Sequence, residues 1–239
     1  MGQIIAIMQP YFFPYLGYFS LIKHTEKFIL FDTVQFIRHG WIERNRVLKQ
    51  DEGWQYIQVP LVKKNGRSTL INDIEINNNE NWQNKILSQL QHYKKKAPNY
   101  LRIISLLNDI FFQKYEDIVT LVKISLEKTL QYLSIEKELL VFSKMDLQIE
   151  KANAPDEWAL NICKAIEGAT EYWNPPGGQC FFDKSKYDKS GINLRFHEIH
   201  LTEYNQHRGK FEPSLSILDV MMFNSVQEIN KMLDNYSLI

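Results

Sequence analysis

The sequence predicts an α/β protein: an open, mostly parallel sheet carrying an inserted β-hairpin and helical additions. Three observations predict it. Residues 4–31 read as strand, irregular loop, helix and strand, the length of one βαβ unit of about 30 residues. Further apolar runs at residues 139–142 and 193–196 supply strands after helical stretches. Two extended segments, residues 44–49 and 54–62, flank Asp51-Glu52-Gly53 and read as a hairpin with glycine at the left-handed position.

The apolar run Ile4-Ile5-Ala6-Ile7-Met8 fits a buried central strand. Pro10 and Pro14 stop a helix from running through the next segment, so the chain breaks there. Tyr15, Tyr18, Phe19 and Ile22 then recur at helical spacing, and Phe28-Ile29-Leu30-Phe31 forms a second, adjacent parallel strand ending on Asp32. Residues 63–68 read as a basic turn around Asn65-Gly66, and residues 73–76 as a short strand. Residues 79–133 carry three apolar stripes at helical spacing, read as core faces without chemistry. Lys94-Lys95-Lys96 is either a solvated helix end or an anion site.

Pro155, preceded by a capping candidate and followed by acids, opens a helix whose buried face includes Cys163, a core residue on this reading. Asn174-Pro175-Pro176-Gly177-Gly178 is a loop, either a place of close ligand approach or a tight corner. A helix over residues 215–223 is apolar nearly all round, yet carries Ser216 and Asp219 on one face. Its buried carboxylate needs a partner: Arg44, Arg46, a Gly177-Gly178 amide or a ligand at a site, or else a helix-to-loop hydrogen bond that pins the Pro-Pro-Gly-Gly corner. Ser225 and Glu228 form a capping box for the last helix. The division expected is residues 1–145, core with hairpin and helical insertion, and residues 146–239, an α+β portion packed on the same core.

Composition narrows the class. The chain has 239 residues, 44% of them hydrophobic, and a formal net charge of zero. That is a globular composition, and the charge balance argues against bulk electrostatic attachment to nucleic acid. No apolar run reaches the length of a membrane span, and the N-terminus lacks a signal-type pattern. Two cysteines make no disulfide framework, so a cytoplasmic protein with reduced thiols is expected. The six histidines lack the spacing of a zinc site, and no protein metal site is expected.

Ligands of open parallel sheets sit beyond the carboxyl ends of the strands. That rule draws Gln9 to Tyr18 and Asp32 to Gln35 to the mouth of a site, where polar Gln9, Asp32 and Gln35 cluster. Alternation along Arg44-Asn45-Arg46 sends both guanidiniums to one side, where they either recognise an anion or are solvated hairpin charge. Tyr11, Trp41 and other loop aromatics suit stacking on a sugar ring.

Taken together, Gln9-Pro10-Tyr11-Phe12-Phe13-Pro14-Tyr15, Asp32-Thr33-Val34-Gln35-Phe36, Arg44-Asn45-Arg46, Asn174-Pro175-Pro176-Gly177-Gly178 and Pro213-Ser214-Leu215-Ser216 resemble the WbqC-like family over nearly the whole chain. The resemblance implies a setting in bacterial surface-polysaccharide synthesis. A second, weaker resemblance is to the nucleotidyltransferase-like superfamily, with its Rossmann-like sheet and its pantothenate synthetase-type members. There a His-x-Gly-His-type motif meets ATP phosphates; here the matching segment is Tyr15-Leu16-Gly17-Tyr18, glycine kept and both histidines replaced.

That second resemblance implies an ATP-dependent ligase or transferase, with Mg²⁺ carried by the nucleotide. It would join a small acid, such as an amino acid, to the amine of an amino sugar. On this view Gln9, Pro10, Tyr15, Gly17, Tyr18, Gln35, Arg44, Asn45 and Arg46 hold the cofactor, and Asp32, Lys144 and Asp219 serve catalysis. Tyr11, Trp41, Asn174, Gly177, Gly178, Gln206 and Ser216 contact substrate. The alternative is a non-catalytic protein that binds a nucleotide sugar or glycan.

Overall fold

The computed structural model describes residues 2–62 and 69–239. In chain order the elements are β1 (Gln3–Met8), α1 (Leu16–His24), β2 (Lys27–Leu30), β3 (Arg44–Leu48), β4 (Trp54–Gln58), α2 (Trp82–Gln89), α3 (Tyr100–Phe111), α4 (Ile118–Tyr132), β5 (Leu139–Val141), α5 (Glu157–Ala165), β6 (Ala169–Asn174), α6 (Lys184–Lys189), β7 (Asn193–Ile199), α7 (Ile217–Phe223), α8 (Val226–Leu233) and β8 (Tyr236–Leu238). The six-stranded sheet has the order β5-β2-β1-β6-β7-β8, and β3-β4 form a separate hairpin. β1 pairs in parallel with β2, Ile5 opposite Lys27, and with β6, Ala6 opposite Trp173. β2–β5 and β6–β7 are also parallel, and β8 alone runs antiparallel.

Period-2 alternation along the strands builds the layers. Ala6, Phe28 and Leu30 face a core shared with α1, α4, α7, α8 and the hairpin. Ile5, Ile7, Ile29 and Phe31 face a second core with α5 and α6. The parallel sheet is therefore covered on both faces, as its unbroken apolar strands require. From β1 the chain works outward through β2 to β5, then returns to the other flank of β1 as β6. The strand order reverses between β1 and β6, and their carboxyl ends open a crevice there.

Several expectations are corrected. Residues 73–76 are not a strand; a 3-10 turn, Ile71–Asp73, is followed by isolated bridges Leu61–Ile76 and Glu75–Asp117. Residues 169–174, unread as a strand, are β6 and lie next to the central strand. Their polar Glu171 breaks the apolar pattern, and its carboxylate accepts the indole N–H of Trp173 at 2.8 Å. Helix α5 starts at Glu157 with Asp156 at its cap, so Pro155 precedes the helix rather than opening it. Helix α7 starts at Ile217, and Ser216 is its N-cap, its hydroxyl accepting from the Leu218 N–H at 3.2 Å.

Other expectations hold. Gly53 in the hairpin loop has φ +70°, and the Ser225/Glu228 capping box is formed. Cys163 is buried, and burial pushes its thiol up to about 12. The basic turn over residues 63–68 lies outside the described residues. Among the described residues no helix is long and apolar enough to cross a membrane.

Candidate functional site

A cleft of about 330 Å³ opens at the switch point. Its wall begins at Met8, the last residue of β1, and continues through Tyr11, Pro14 and Tyr15 of the following loop. Trp41, Asn45 and Arg46 come from the hairpin side, Pro175 from the end of β6, and Ser214 from the segment before α7. The two prolines that stop a helix at residues 10–14 are the reason this loop exists.

Arg46 is the single cation of the lining. One of its terminal nitrogens donates to the Ser214 carbonyl at 3.0 Å. Its guanidinium carbon lies over the indoles of Trp54 and Trp41, 5.1 and 5.5 Å from the ring centroids. Its Nε is buried with no hydrogen-bond partner, and among the described residues no carboxylate pairs with it. A half-buried guanidinium held by rings and one carbonyl keeps its charge and most of its fork for a ligand.

The other polar groups are neutral. Burial raises the phenols of Tyr11 and Tyr15, so both stay protonated donors at neutral pH. Asn45 is buried and already spent: its amide donates to the Phe12 carbonyl at 3.1 Å and accepts from the Arg46 N–H at 2.8 Å. The lining holds no carboxylate, histidine or lysine.

Backbone strain frames the cleft. Phe13 and Ser214 have φ of +39° and +54°. Such conformations cost about 1–3 kcal/mol each and persist where surroundings over-determine them. Here both carbonyls are anchored: Phe13 accepts the Ser216 hydroxyl at 2.7 Å, and Ser214 accepts Arg46. The Ser216 N–H reaches the Arg46 carbonyl at 2.8 Å, so α7, the hairpin and the β1 loop lock one another.

A sequence profile of the WbqC-like protein family matches residues 9–231, a span that runs from the cleft loop through α7 into α8. The chain belongs to the WbqC-like protein family. It is similar to the uncharacterized protein Rv1507c of Mycobacterium tuberculosis, 28% identical over 222 residues that make up 92% of this chain and 93% of that protein. No solved structure matches it.

In this WbqC-like protein the residues expected at the site divide into two groups. Tyr11, Tyr15, Trp41, Asn45 and Arg46 meet in the cleft. Gln9 and buried Pro10 lie between two lining residues, and Asn174 next to Pro175, whose carbonyl its amide reaches at 2.8 Å. Gly178 is buried where a Cβ would strike the Asn174 amide at 2.3 Å, while Gly177 is exposed with open space around it. The Pro-Pro-Gly-Gly stretch is thus a tight corner at Gly178, and its lining residue is Pro175.

The second group does not line the cleft. Tyr18 is a core residue, its hydroxyl donating to the Gln9 carbonyl at 2.8 Å. Arg44 stacks on Tyr56, 3.9 Å from the ring centroid, and donates to the His39 carbonyl, while Glu43 accepts the His39 N–H at 2.6 Å. Both grips hold His39 at φ +62°, so Arg44 shapes the loop that presents Trp41. Asp32 is buried and accepts from the backbone and hydroxyl of Ser143 at 2.9 and 2.5 Å, tying the end of β2 to the turn after β5. Lys144 beside it is exposed, and Gln35 forms an isolated bridge with Leu70.

Asp219 is fully buried, and its protein partners are neither Arg44, Arg46 nor a Gly177-Gly178 amide. It accepts from the hydroxyls of Tyr93 and Tyr204 at 2.6 and 2.7 Å and from the Gln206 amide at 3.2 Å. Burial raises its carboxyl to about 6, against the opposing pull of these donors and of Arg208. Gln206 also donates to the Glu212 carbonyl at 3.0 Å, and so belongs to this buried brace rather than to the cleft. Ser216 caps α7 behind it.

In the segment set against the His-x-Gly-His motif, Tyr15 lines the cleft and Tyr18 is buried. The space where a Gly17 Cβ would lie is taken by the Tyr15 ring, 2.5 Å from its Cζ and Oη. Gly17 thus leaves room for the Tyr15 ring, and the Tyr18 side chain is buried in the core. Among the described residues no group of three or more His, Cys, Asp or Glu could hold a metal. Unread in the sequence were Met8 and Ser214 in the lining, and Trp54 as the platform for Arg46. Trp54 signalled only a strand former, because cross-strand pairing with Leu48 is not visible from composition.

Gly17→Ala tests that relation. Alanine suits a helix better than glycine by about 1 kcal/mol, so the variant folds. The Tyr15 ring must swing, and a crystal structure or aromatic NMR shifts would show it. Affinity for a cleft ligand is expected to fall while the melting temperature holds. Unchanged affinity would mean that the placement of the Tyr15 ring is immaterial to binding.

Proposed function

We propose that this WbqC-like protein binds a nucleotide sugar, or a glycan unit of similar charge, in the switch-point cleft. The observation that carries the reading is Arg46: a cation without a carboxylate partner, stacked on indoles and facing the cleft. Phosphate or carboxylate oxygens would take the free fork of its guanidinium. Tyr11 and Tyr15 would donate to hydroxyls, and Trp41, 39% exposed, offers a face on which a sugar or base ring can stack. The polysaccharide setting comes from the family resemblance.

The ligase or transferase reading is supported by the location, since doubly wound sheets hold nucleotides at the switch point. The lining supplies it no general base, so catalysis would rest on positioning alone.

The test is calorimetry and thermal unfolding with UDP-glucose, ATP and free glucose. Saturable binding of UDP-glucose is expected, with about 2.7 kcal/mol of stabilisation at a hundred times its dissociation constant. No heat and no stabilisation with all three compounds would end the reading. ATP consumption that requires both a small acid and an amino sugar would replace it with the transfer reaction.

A further inference from the structure

We propose a second binding site, for an acidic saccharide, in the groove between the β3–β4 turn and the segment that follows α2. The groove has a volume of about 750 Å³, within the usual range of roughly 300–1,000 Å³ for ligand pockets. Lys49 and Gln55 line it from the hairpin, and Gln89, His92, Lys95 and Lys96 from the other side. By alternation Gln55 lies on the opposite side of β4 from Trp54, the residue under Arg46, and the linings of this groove and of the switch-point cleft share no residue.

Its charge is not neutralised. Asp51 is the one carboxylate of the lining, against three lysines. Among the described residues none of the three forms an ion pair. Arg208 sits beside the groove, in a small adjoining cavity with His92 and Lys96. Its guanidinium donates to the carbonyls of Lys49, Asp51 and Gly53 at 2.8, 2.6 and 2.9 Å. Carbonyls orient a guanidinium without cancelling its charge. The field is felt at His92, whose imidazole is held below its ordinary value by burial first, and then by Arg208 and Lys96.

His92 also points to hydroxyls. Its Nδ1 lies 2.9 Å from the Gln89 carbonyl, which can only accept, so Nδ1 carries the proton. Nε2 is then a lone-pair acceptor, and it is buried with no partner. A hydroxyl donor satisfies it. Side-chain amides around it supply further donors and acceptors, and cations take an acid group. No indole or phenol ring lines the groove, so it lacks the stacking platform that single-stranded nucleic acid needs. Hydroxyls and an acid on one ligand describe a uronic-acid or phosphorylated saccharide.

The experiment titrates the full chain at 150 mM salt with a hyaluronan tetrasaccharide. Cellotetraose, inorganic phosphate and an eight-residue oligothymidylate serve as comparisons. Saturable one-to-one binding of the acidic tetrasaccharide is expected, at least tenfold tighter than any comparison. Lys95→Ala/Lys96→Ala weakens it tenfold or more with an unchanged melting temperature, since both side chains are exposed. Arg46→Ala leaves it unchanged. No saturable binding, equal binding of phosphate or oligothymidylate, or indifference to the double variant would overturn the proposal. Loss in Arg46→Ala with retention in the lysine variant would place the saccharide in the switch-point cleft instead.

Discussion

Asp219→Ala is expected to lower stability by about 2–6 kcal/mol, because the hydroxyls of Tyr93 and Tyr204 lose their acceptor and each such loss costs about 1–3 kcal/mol when buried, while Gln206 keeps the Glu212 carbonyl. Tyr93, Tyr204 and Gln206 all converge on this carboxylate, Tyr93 from the turn after α2 and the other two from the segment before α7. Against a usual total of about 5–15 kcal/mol, the alanine variant is close to unfolded at physiological temperature. Asp219→Asn keeps one oxygen and turns an amide toward a phenol that can rotate to accept, so its loss is smaller. Urea unfolding of both variants measures this.

The two proteins also differ in pH dependence. The Asp219 carboxyl stands at about 6 in the fold against an ordinary 3.8, so the folded state binds its proton more tightly than the unfolded chain. Its contribution to stability is fully present below 3.8 and is lost as pH rises to about 6. Asparagine does not titrate. The advantage of the native protein over Asp219→Asn should therefore be largest at acid pH and shrink through that window. A gap that stays flat would show that Asp219 does not titrate there.

Arg46→Ala is expected to weaken UDP-glucose binding by about 10- to 100-fold, the equivalent of the roughly 1.5–3 kcal/mol of a hydrogen bond to a charged group. Its melting temperature should move little, since Arg46 makes one side-chain hydrogen bond and rests on two ring faces. Arg46→Lys keeps the charge and loses the fork, and is expected to fall between the two. Arg44→Ala should show the opposite balance, losing about 1 kcal/mol of stability through the freed His39 turn, with weaker binding following from a displaced Trp41. Equal stability losses in the Arg44 and Arg46 variants, with unchanged binding, would make both arginines structural.

The fold was legible where local chemistry and burial agree. Residues 4–8 and 28–31 announce parallel strands because both faces of each are covered, and Pro10 and Pro14 dictate the break that becomes the cleft. Residues 169–174 were illegible for the converse reason. Glu171 sits inside a central strand, satisfied by an indole two residues on, a pairing that no periodicity displays. The need for a partner at Asp219 was readable from an acid on an apolar helix; Tyr93 and Tyr204 were not, because long-range side-chain pairs leave no pattern in a single sequence. The same holds for Arg44 and Arg46. Strand alternation puts both on one side of β3, but hydrogen bonds to His39 and Ser214 give one to a loop and the other to the cleft.

The pairing of β1 with β6 has a consequence for synthesis. Ile4 lies opposite Glu171, and Ser214 closes the cleft wall against Arg46. A chain emerging N-terminus first therefore displays its aromatic β1 loop long before the segments that complete the wall exist. Contacts of such sequence separation form late and slowly, because loop closure must come first. Until α7 arrives, Phe12, Phe13 and their neighbours lack part of their native cover, so apolar surface stays exposed on the half-made chain.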